Sequence, residues 1–418
     1  MTSLTAAAAA LCMAAVLAGC GAGGGSGDTT LTLVAADYGD SPENSSKAYW
    51  ADLVKEFESE HPGIKVDVDV VSWNDVDAQV KDMVDKGEAP DLAQIGAYAD
   101  YAATDKLYTA DELLSIPVQA DFLPSLSQAG EVARVQYGMP FASSTRLLFY
   151  NKKLFADAGI TKAPESWSQL QADAELLKEQ GVKYPYALPL GPEEAQAETL
   201  MWLLSGGDGY TDNVGTYSID SQPNVTTFTW LKDELVGKGL TGPTDPSKLD
   251  RAEAFAAFTR GDVGMLNGHP TLMQMAAKKN VDFGMVPMPG INGKAKATMG
   301  VADWMMAFKE NGHRKEIGTF LDFVYQEKNV LAFSHKYDLL PVTTSASEAM
   351  AEDKSQKDLV EFLDELPNSQ LYPVAKTSWA KVSADIKRQI GKAVEPGGNP
   401  ESVLGSLQRA AATAETAE

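Results

Sequence analysis

The segment Tyr137 to Ile160, YGMPFASSTRLLFYNKKLFADAGI, constrains the fold of this chain more than any other. A polar patch, Ser143-Ser144-Thr145-Arg146, runs straight into Leu147-Leu148-Phe149-Tyr150. Successive side chains of a strand point to opposite faces, so four apolar residues in a row require a strand covered on both sides. Asn151-Lys152-Lys153 ends it, and Leu154, Phe155 and Ala158 begin a short helix closed by Gly159. A polar patch entering a doubly buried strand is expected where a chain crosses between two bodies, with a cleft at the crossing. The length agrees, because 418 residues exceed one ordinary domain and allow two cores.

From Asp28 onward the signals are regular. Leu31 to Ala36 reads as a strand, and Ser45 or Ser46 caps a helix with the stripe Tyr49, Trp50, Leu53, Val54 and Phe57. Ile64, Val66, Val68 and Val70 alternate with Lys65, Asp67 and Asp69, the pattern of a half-buried strand. Val76, Val80, Met83 and Val84 mark a second helix, and Asp91 to Gly96 a third strand. This β-α-β-α-β order predicts a doubly wound α/β unit, whose ligands sit beyond the carboxyl ends of the strands. The loops at Asp37, Trp73 and Gly96-Ala97-Tyr98 therefore share one rim. Further along, Ser166 and Gln169 form a capping box, and Gly191-Pro192-Glu193-Glu194 opens a helix. Strands are expected at 263–266, 281–288 and 297–308, with helices at 224–238, 249–260 and 314–334.

Composition removes several function classes. Lys plus Arg number 35 against 58 Asp plus Glu, a net charge of −23 that repels phosphate backbones and argues against nucleic acid. Cysteine occurs only at 12 and 20, so the body of the chain has no disulfide and no thiolate metal site. His61, His269, His313 and His335 are scattered without metal-ligand spacing. No GxSxG elbow, phosphate loop or dinucleotide fingerprint is present. Glu193-Glu194 is a carboxylate pair, but helix neighbours point about 100° apart, a poor arrangement for flanking one glycosidic bond.

What is left suits binding. A neutral polyhydroxylated ligand offers C–H faces to aromatic rings and hydroxyls to Asp, Glu, Asn and Arg. Trp73 and Trp304 stand at strand ends and are assigned to the site. Trp202, among Leu200, Met201, Leu203 and Leu204, is assigned to the core, while Trp379 on a helix stripe fits either role. Glu193 and Glu194 are equally readable as charges favoured at a helix N-terminus, and Arg146 as satisfying backbone carbonyls.

Pro140, Tyr150-Asn151-Lys152, Phe155 and Gly159, with "FE-x-x-HPGIKV" and "PDL" earlier, make the chain resemble the extracellular solute-binding proteins of bacterial ABC importers, in their sugar-binding, maltose-binding-protein-like branch. The resemblance implies a periplasmic-binding-protein-like fold of two α/β lobes with a ligand cleft between them, joined by crossover strands near Ala142 to Ser144, Gly284 and Leu339. The N-terminal lobe would comprise 28–142 and 284–338, the C-terminal lobe 143–283 and 339–418. By position it implies ligand contacts from Asp37, Tyr98, Ser144, Glu193, Glu194, Asn267, Asp303, Trp304 and Trp379, to which the residue reading adds Trp73 and Arg146. Gly268-His269-Pro270 stands where the family usually has Gly-Pro-Trp, which favours a smaller sugar over long maltodextrins. Leu17-Ala18-Gly19-Cys20 resembles the bacterial lipobox, although no Lys or Arg precedes it. Residues 1–19 would then be a lipoprotein signal peptide, Cys20 the lipidated residue, and 20–27 a glycine-rich tether. The implied protein is an extracytoplasmic monomer on the outer face of the cell membrane. It would bind a carbohydrate, use no cofactor, and serve permease subunits and their ATPase. A polyol phosphate gripped by Arg146, or a secreted carbohydrate-active enzyme, is the alternative.

Overall fold

The computed structural model describes residues 28–39, 44–73, 75–295 and 297–416. Cys20, the lipobox and the tether lie outside the described residues. Fourteen strands form among the described residues: β1 (Thr29–Asp37), β2 (Ile64–Ser72), β3 (Leu92–Ile95), the hairpin β4 (Glu131–Val132) and β5 (Val135–Gln136), β6 (Met139–Thr145), β7 (Leu147–Asn151), β8 (Tyr184–Tyr186), β9 (Val263–Gly268), β10 (Phe283–Val286), the hairpin β11 (Pro289–Gly290) and β12 (Gly293–Lys294), β13 (Thr298–Ala307) and β14 (Ser369–Gln370). The first large sheet has the order β14-β13-β3-β1-β2, with β6 also paired to β13. The second has the order β10-β7-β9-β8. The two-lobe α/β architecture agrees with the sequence expectation.

The first lobe follows from its alternation. β1 is parallel to both β2 and β3, and Leu33, Val34, Ala35 and Ala36 are all buried because helices cover both faces. The helix Ser46–Glu60 is capped by the Ser45 side chain on Lys47 N and buries Tyr49, Trp50, Leu53 and Phe57, residues spaced to fall on one face. His61 ends it, and Gly63, at φ +104°, makes the turn into β2. In the second lobe β7 is buried on both sides as expected. Leu147 and Phe149 join one hydrophobic cluster, while Leu148 joins the cluster containing Leu170, Tyr186, Trp202 and Met265.

Register locates the first crossing at one residue. Thr145 pairs with Gly300 in the first sheet and Leu147 with Gly268 in the second, so Arg146 alone stands between them. The crossing therefore lies later in the chain than the expected Ala142 to Ser144, at the end of the polar patch. The hydroxyls of that patch tie crossing segments together. Ser143 Oγ donates to the carbonyls of Leu340 (3.1 Å) and Pro341 (3.2 Å), and Thr145 Oγ1 to that of Phe362 (2.7 Å).

Two expected boundaries move. Gly284 pairs with Tyr150 inside the second sheet, so the return to the first sheet follows Val286 and not Gly284. Residues after Leu339 also stay with the first lobe for longer than expected. Val342 O accepts from Leu123 N, Ser345 donates to Asp121, and β14 pairs with β13. The chain rejoins the second lobe from Tyr372, which packs on the second cluster, and the helix Trp379–Gln389 follows with Trp379, Val382 and Ile386 entering that cluster. A helix stripe announces that something covers it, not which lobe does.

Candidate ligand-binding site

On the first lobe the site begins at the ends of β1 and β3. Ala36 N donates to Gln94 Oε1 (3.2 Å), Gln94 Nε2 to the Tyr38 hydroxyl (2.8 Å), and Tyr38 to Asp303 Oδ2 (2.7 Å). This buried chain of bonds ends on a partly exposed carboxylate. Burial pushes the Asp303 carboxyl up to about 6, with the bond from Tyr38 opposing and the charge of Asp77 adding to the rise. A register shift between Asp303 and Trp304 inserts Phe141 as an extra residue opposite them, and Pro140 is tolerated at that bulge.

Strand alternation corrects the pairing of Asp303 with Trp304 as one wall. Neighbours on a strand face opposite sides, so Asp303 lies on the half-buried face with Tyr38 and Trp304 on the interior one. Trp304 is fully buried, edge-on to Tyr98 at 5.2 Å, and a Cβ on Gly138 would lie 3.0 Å from its ring. It is core. Tyr98 is also fully buried, donating to Ala129 O at 2.5 Å, so it offers ligand little more than the ring edge at the cavity described below. Asp37 is spent on its own loop. Its oxygens accept from Gly39 N (3.0 Å), Ser46 N (2.7 Å) and Ser45 Oγ (2.8 Å). Burial raises its pKa, but the Ser46 and Gly39 amides and the serine hydroxyls outweigh that and hold it below the ordinary value. Trp73 is half-buried and edge-on to Tyr38 at 5.4 Å, and Ser144 is half-buried opposite Val301.

The second lobe supplies a charged rim. Arg146, 5% exposed, donates from Nη2 to Glu194 Oε1 at 2.5 Å. Arg251 Nη2 donates to Glu193 Oε1 at 2.6 Å, and its Nε lies 2.5 Å from Glu194 Oε2 without hydrogen-bond geometry. Behind this rim lies Glu198, which composition and motif reasoning missed. Its Oε1 accepts from Trp202 Nε1 (2.8 Å), Asn267 Nδ2 (3.0 Å) and Tyr186 OH (3.1 Å). Burial raises the Glu198 carboxyl to about 7, against those three bonds and the charge of Arg146. Burial, then the charges of Arg146 and Arg251, drive His269 well below its ordinary value and keep it neutral. The spacing Glu194, Glu198, Trp202 on one helix was the available signal, because residues four apart share a face. Asn267 is 1% exposed, with Oδ1 unpartnered.

The lobes meet around a cavity of about 170 Å³. Asp77, Lys81, Tyr98 and Asp100 line it from the first lobe, Lys376 and Trp379 from the second. Trp379 is stacked on Tyr372 at 5.1 Å, and Tyr372 stands beside Gln196, Glu194 and Arg146. Buried atoms without hydrogen-bond partners gather around Glu194 and Tyr372, behind the cavity rather than on its wall: Arg146 Nε, Glu194 Oε2, Gln196 Oε1, Asn267 Oδ1 and the Tyr372 hydroxyl. Such groups are costly to leave unpaired. The structure therefore connects Arg146, Glu193, Glu194 and Asn267 as one polar cluster, with Trp379 at the cavity and Asp303 on the first lobe beside Tyr38.

Two α/β lobes with crossing strands and a polar opening between them define the periplasmic-binding-protein-like class. A cyclic α-maltosyl-1,6-maltose binding protein from Arthrobacter globiformis has this fold, at a TM-score of 0.80 over 94% of this chain and 100% of that one, with 17% identity. A binding protein of Brucella abortus is 27% identical over 363 residues, 85% of this chain and 87% of the relative. The diacetylchitobiose binding protein DasA of Streptomyces coelicolor is 26% identical over 271 residues, 62% and 60% of the two chains. The model of the bacterial extracellular solute-binding proteins matches residues 40–330, and the chain belongs to that family.

Proposed function

We propose that this protein is the carbohydrate-binding component of an ABC importer, closing its lobes on a mono- or oligosaccharide and presenting it to a membrane permease. The observation that carries the reading is the cavity between the lobes, lined by the Trp379 ring and the carboxylates Asp77 and Asp100, with the basic side chains in it and behind it already matched. Lys81 pairs with Asp85 (2.6 Å), Lys376 with Glu415, Arg146 with Glu194 and Arg251 with Glu193. A phosphate would have to displace those carboxylates, whereas sugar hydroxyls can donate to Asp303 and the unpartnered oxygens. A family of binding proteins supports capture over catalysis. A thermal-shift series with monosaccharides, maltose, N,N′-diacetylchitobiose and sn-glycerol 3-phosphate tests the reading. At a hundredfold excess over Kd, ligand should add about 2.7 kcal/mol of stability. A rise with the phosphate alone, or release of reducing sugar from a glycan, would replace this reading.

Asp303 gives that binding a pH dependence. A hydroxyl donating to the carboxylate favours its ionised form, so the complex has a lower Asp303 pKa than the free protein. Between the two values binding releases a proton, and affinity rises with pH. Titration calorimetry should show affinity falling by up to about tenfold per unit as pH drops below about 6, with Asp303→Asn showing a weaker and flat profile. Equal slopes in both proteins would exclude Asp303 from ligand contact.

We also propose that Cys20 carries the lipid anchor. Several acyl chains hold a protein firmly, whereas one gives only marginal binding. Cys20→Ala, expressed in bacteria behind a competent signal peptide, should move from the membrane to the soluble fraction. Retention after a high-salt wash would place the anchor elsewhere.

A further inference from the structure

Arg146 was expected to reach the ligand, yet its position in the fold gives it another task. It is the single residue between a strand of the first sheet and a strand of the second. Its carbonyl accepts from Thr298 Oγ1 at 2.8 Å, at the start of β13, the strand by which the chain crosses back. Its guanidinium holds Glu194, partly exposed at the start of the helix Ala195–Gly206. One residue is thus fixed at both ends, by its backbone to the returning crossing and by its side chain to the charged rim. Any rotation of the lobes that turns the backbone at Arg146 must pull on Glu194 or break the pair. The groups facing the guanidinium are Glu194, Glu198, Tyr372, His269 and, through Glu194, Arg251. Arg146 is 5% exposed and the Glu194 side chain 25%, so the pair is partly shielded from the solvent screening that weakens a surface ion pair.

We propose that Arg146 is a positioning residue that couples the crossing to the rim, so that the Arg146–Glu194 pair resists departures from the lobe arrangement seen here and a ligand engaging Glu194 alters that resistance. The inference rests on the clamp reading above. It predicts that weakening the pair broadens the range of lobe separations in the ligand-free protein, because the restraint is lost while each lobe keeps its own core.

The test places spin labels at exposed positions on the two lobes, Asp67→Cys and Glu179→Cys, in the full chain with Cys12→Ala and Cys20→Ala. Inter-label distances are then measured with and without maltose or N,N′-diacetylchitobiose. Arg146→Lys keeps the charge but loses the guanidinium geometry, and Glu194→Gln keeps the shape but loses the charge, which guards against one variant failing to fold. Either variant should move the ratio of the distance populations by about tenfold in the ligand-free state, while its melting temperature stays within a few degrees of the parent. Parent-like distances in both folded variants would overturn the inference, and lost sugar affinity with parent-like distances would make Arg146 a direct ligand contact instead. A parent whose melting temperature rises with sugar while its distances do not move would refute the clamp reading and the inference with it.

Discussion

Trp304→Ala is expected to lower the melting temperature of the ligand-free protein by on the order of 10 °C. The indole is fully buried between Tyr98 and the backbone at Gly130 and Gly138, and neither glycine has a side chain that could move into the space left behind. Removing a buried Trp and leaving a cavity costs about 3–5 kcal/mol, and in a domain of this size each kcal/mol moves the melting point by roughly 2–4 °C. One offset works against this, since Trp304 Nε1 has no acceptor and its loss removes an unsatisfied donor. Asp303→Asn makes the contrast. Asp303 lies on the opposite, half-buried face of the strand from Trp304, so this variant should melt near the parent and weaken sugar binding by about tenfold or more, the usual scale for a hydrogen bond to a charged group. Melting curves and calorimetry on the two variants check this. A parent-like melting point with lost affinity in Trp304→Ala would return the ring to the ligand wall.

Glu198→Ala should be of similar severity for a different reason. A single oxygen of Glu198 satisfies Tyr186 on β8, Asn267 on β9 and Trp202 on its own helix, and so fastens that helix to the sheet beneath the rim. Truncation leaves three buried donors without an acceptor, at about 1–3 kcal/mol each. The gain from removing a buried acid offsets part of this, so a net loss of roughly 3–5 kcal/mol is expected. Glu198→Gln retains an acceptor oxygen and should lose much less. The same residue links stability to acidity. Its folded-state value, about 7, lies above the ordinary 4.5 of a glutamate. Between those values the folded protein holds a proton that the unfolded chain has released. Stability therefore falls as pH rises through that window and levels off above about 7. Denaturant unfolding across pH 4.5 to 7 should show this slope in the parent and a shallower one in Glu198→Gln. Identical slopes would assign the titration to other groups.

The two-lobe α/β architecture and the doubly buried strand were legible because they depend on local periodicity. Leu147 to Tyr150 can satisfy alternating faces only if both are covered, whatever covers them. The polar cluster at Glu193 and Glu194 was likewise marked by a helix start after Gly191-Pro192. Asp303 was singled out because a carboxylate in an otherwise apolar strand needs an outlet, and strand alternation could have separated it from Trp304, but the Phe141 bulge that shifts the register there lies on the partner strand.

Other features were decided by partners remote in the chain. Asp37 looked like a rim ligand until the loop folded back and Gly39, Ser45 and Ser46 took both its oxygens. Glu198 was unremarkable until β8 and β9 brought Tyr186 and Asn267 to it. The return crossing after Val286, and the attachment of β14 to the first lobe, depend on which strand accepts a given edge. Apolar periodicity states that a face must be buried and is satisfied by any apolar surface. The sequence alone therefore determined which segments form strands and helices and that two bodies share a cleft. Only the tertiary structure decided which charges meet inside it, because a hydrogen bond or ion pair between residues distant in the chain has no periodicity to announce it.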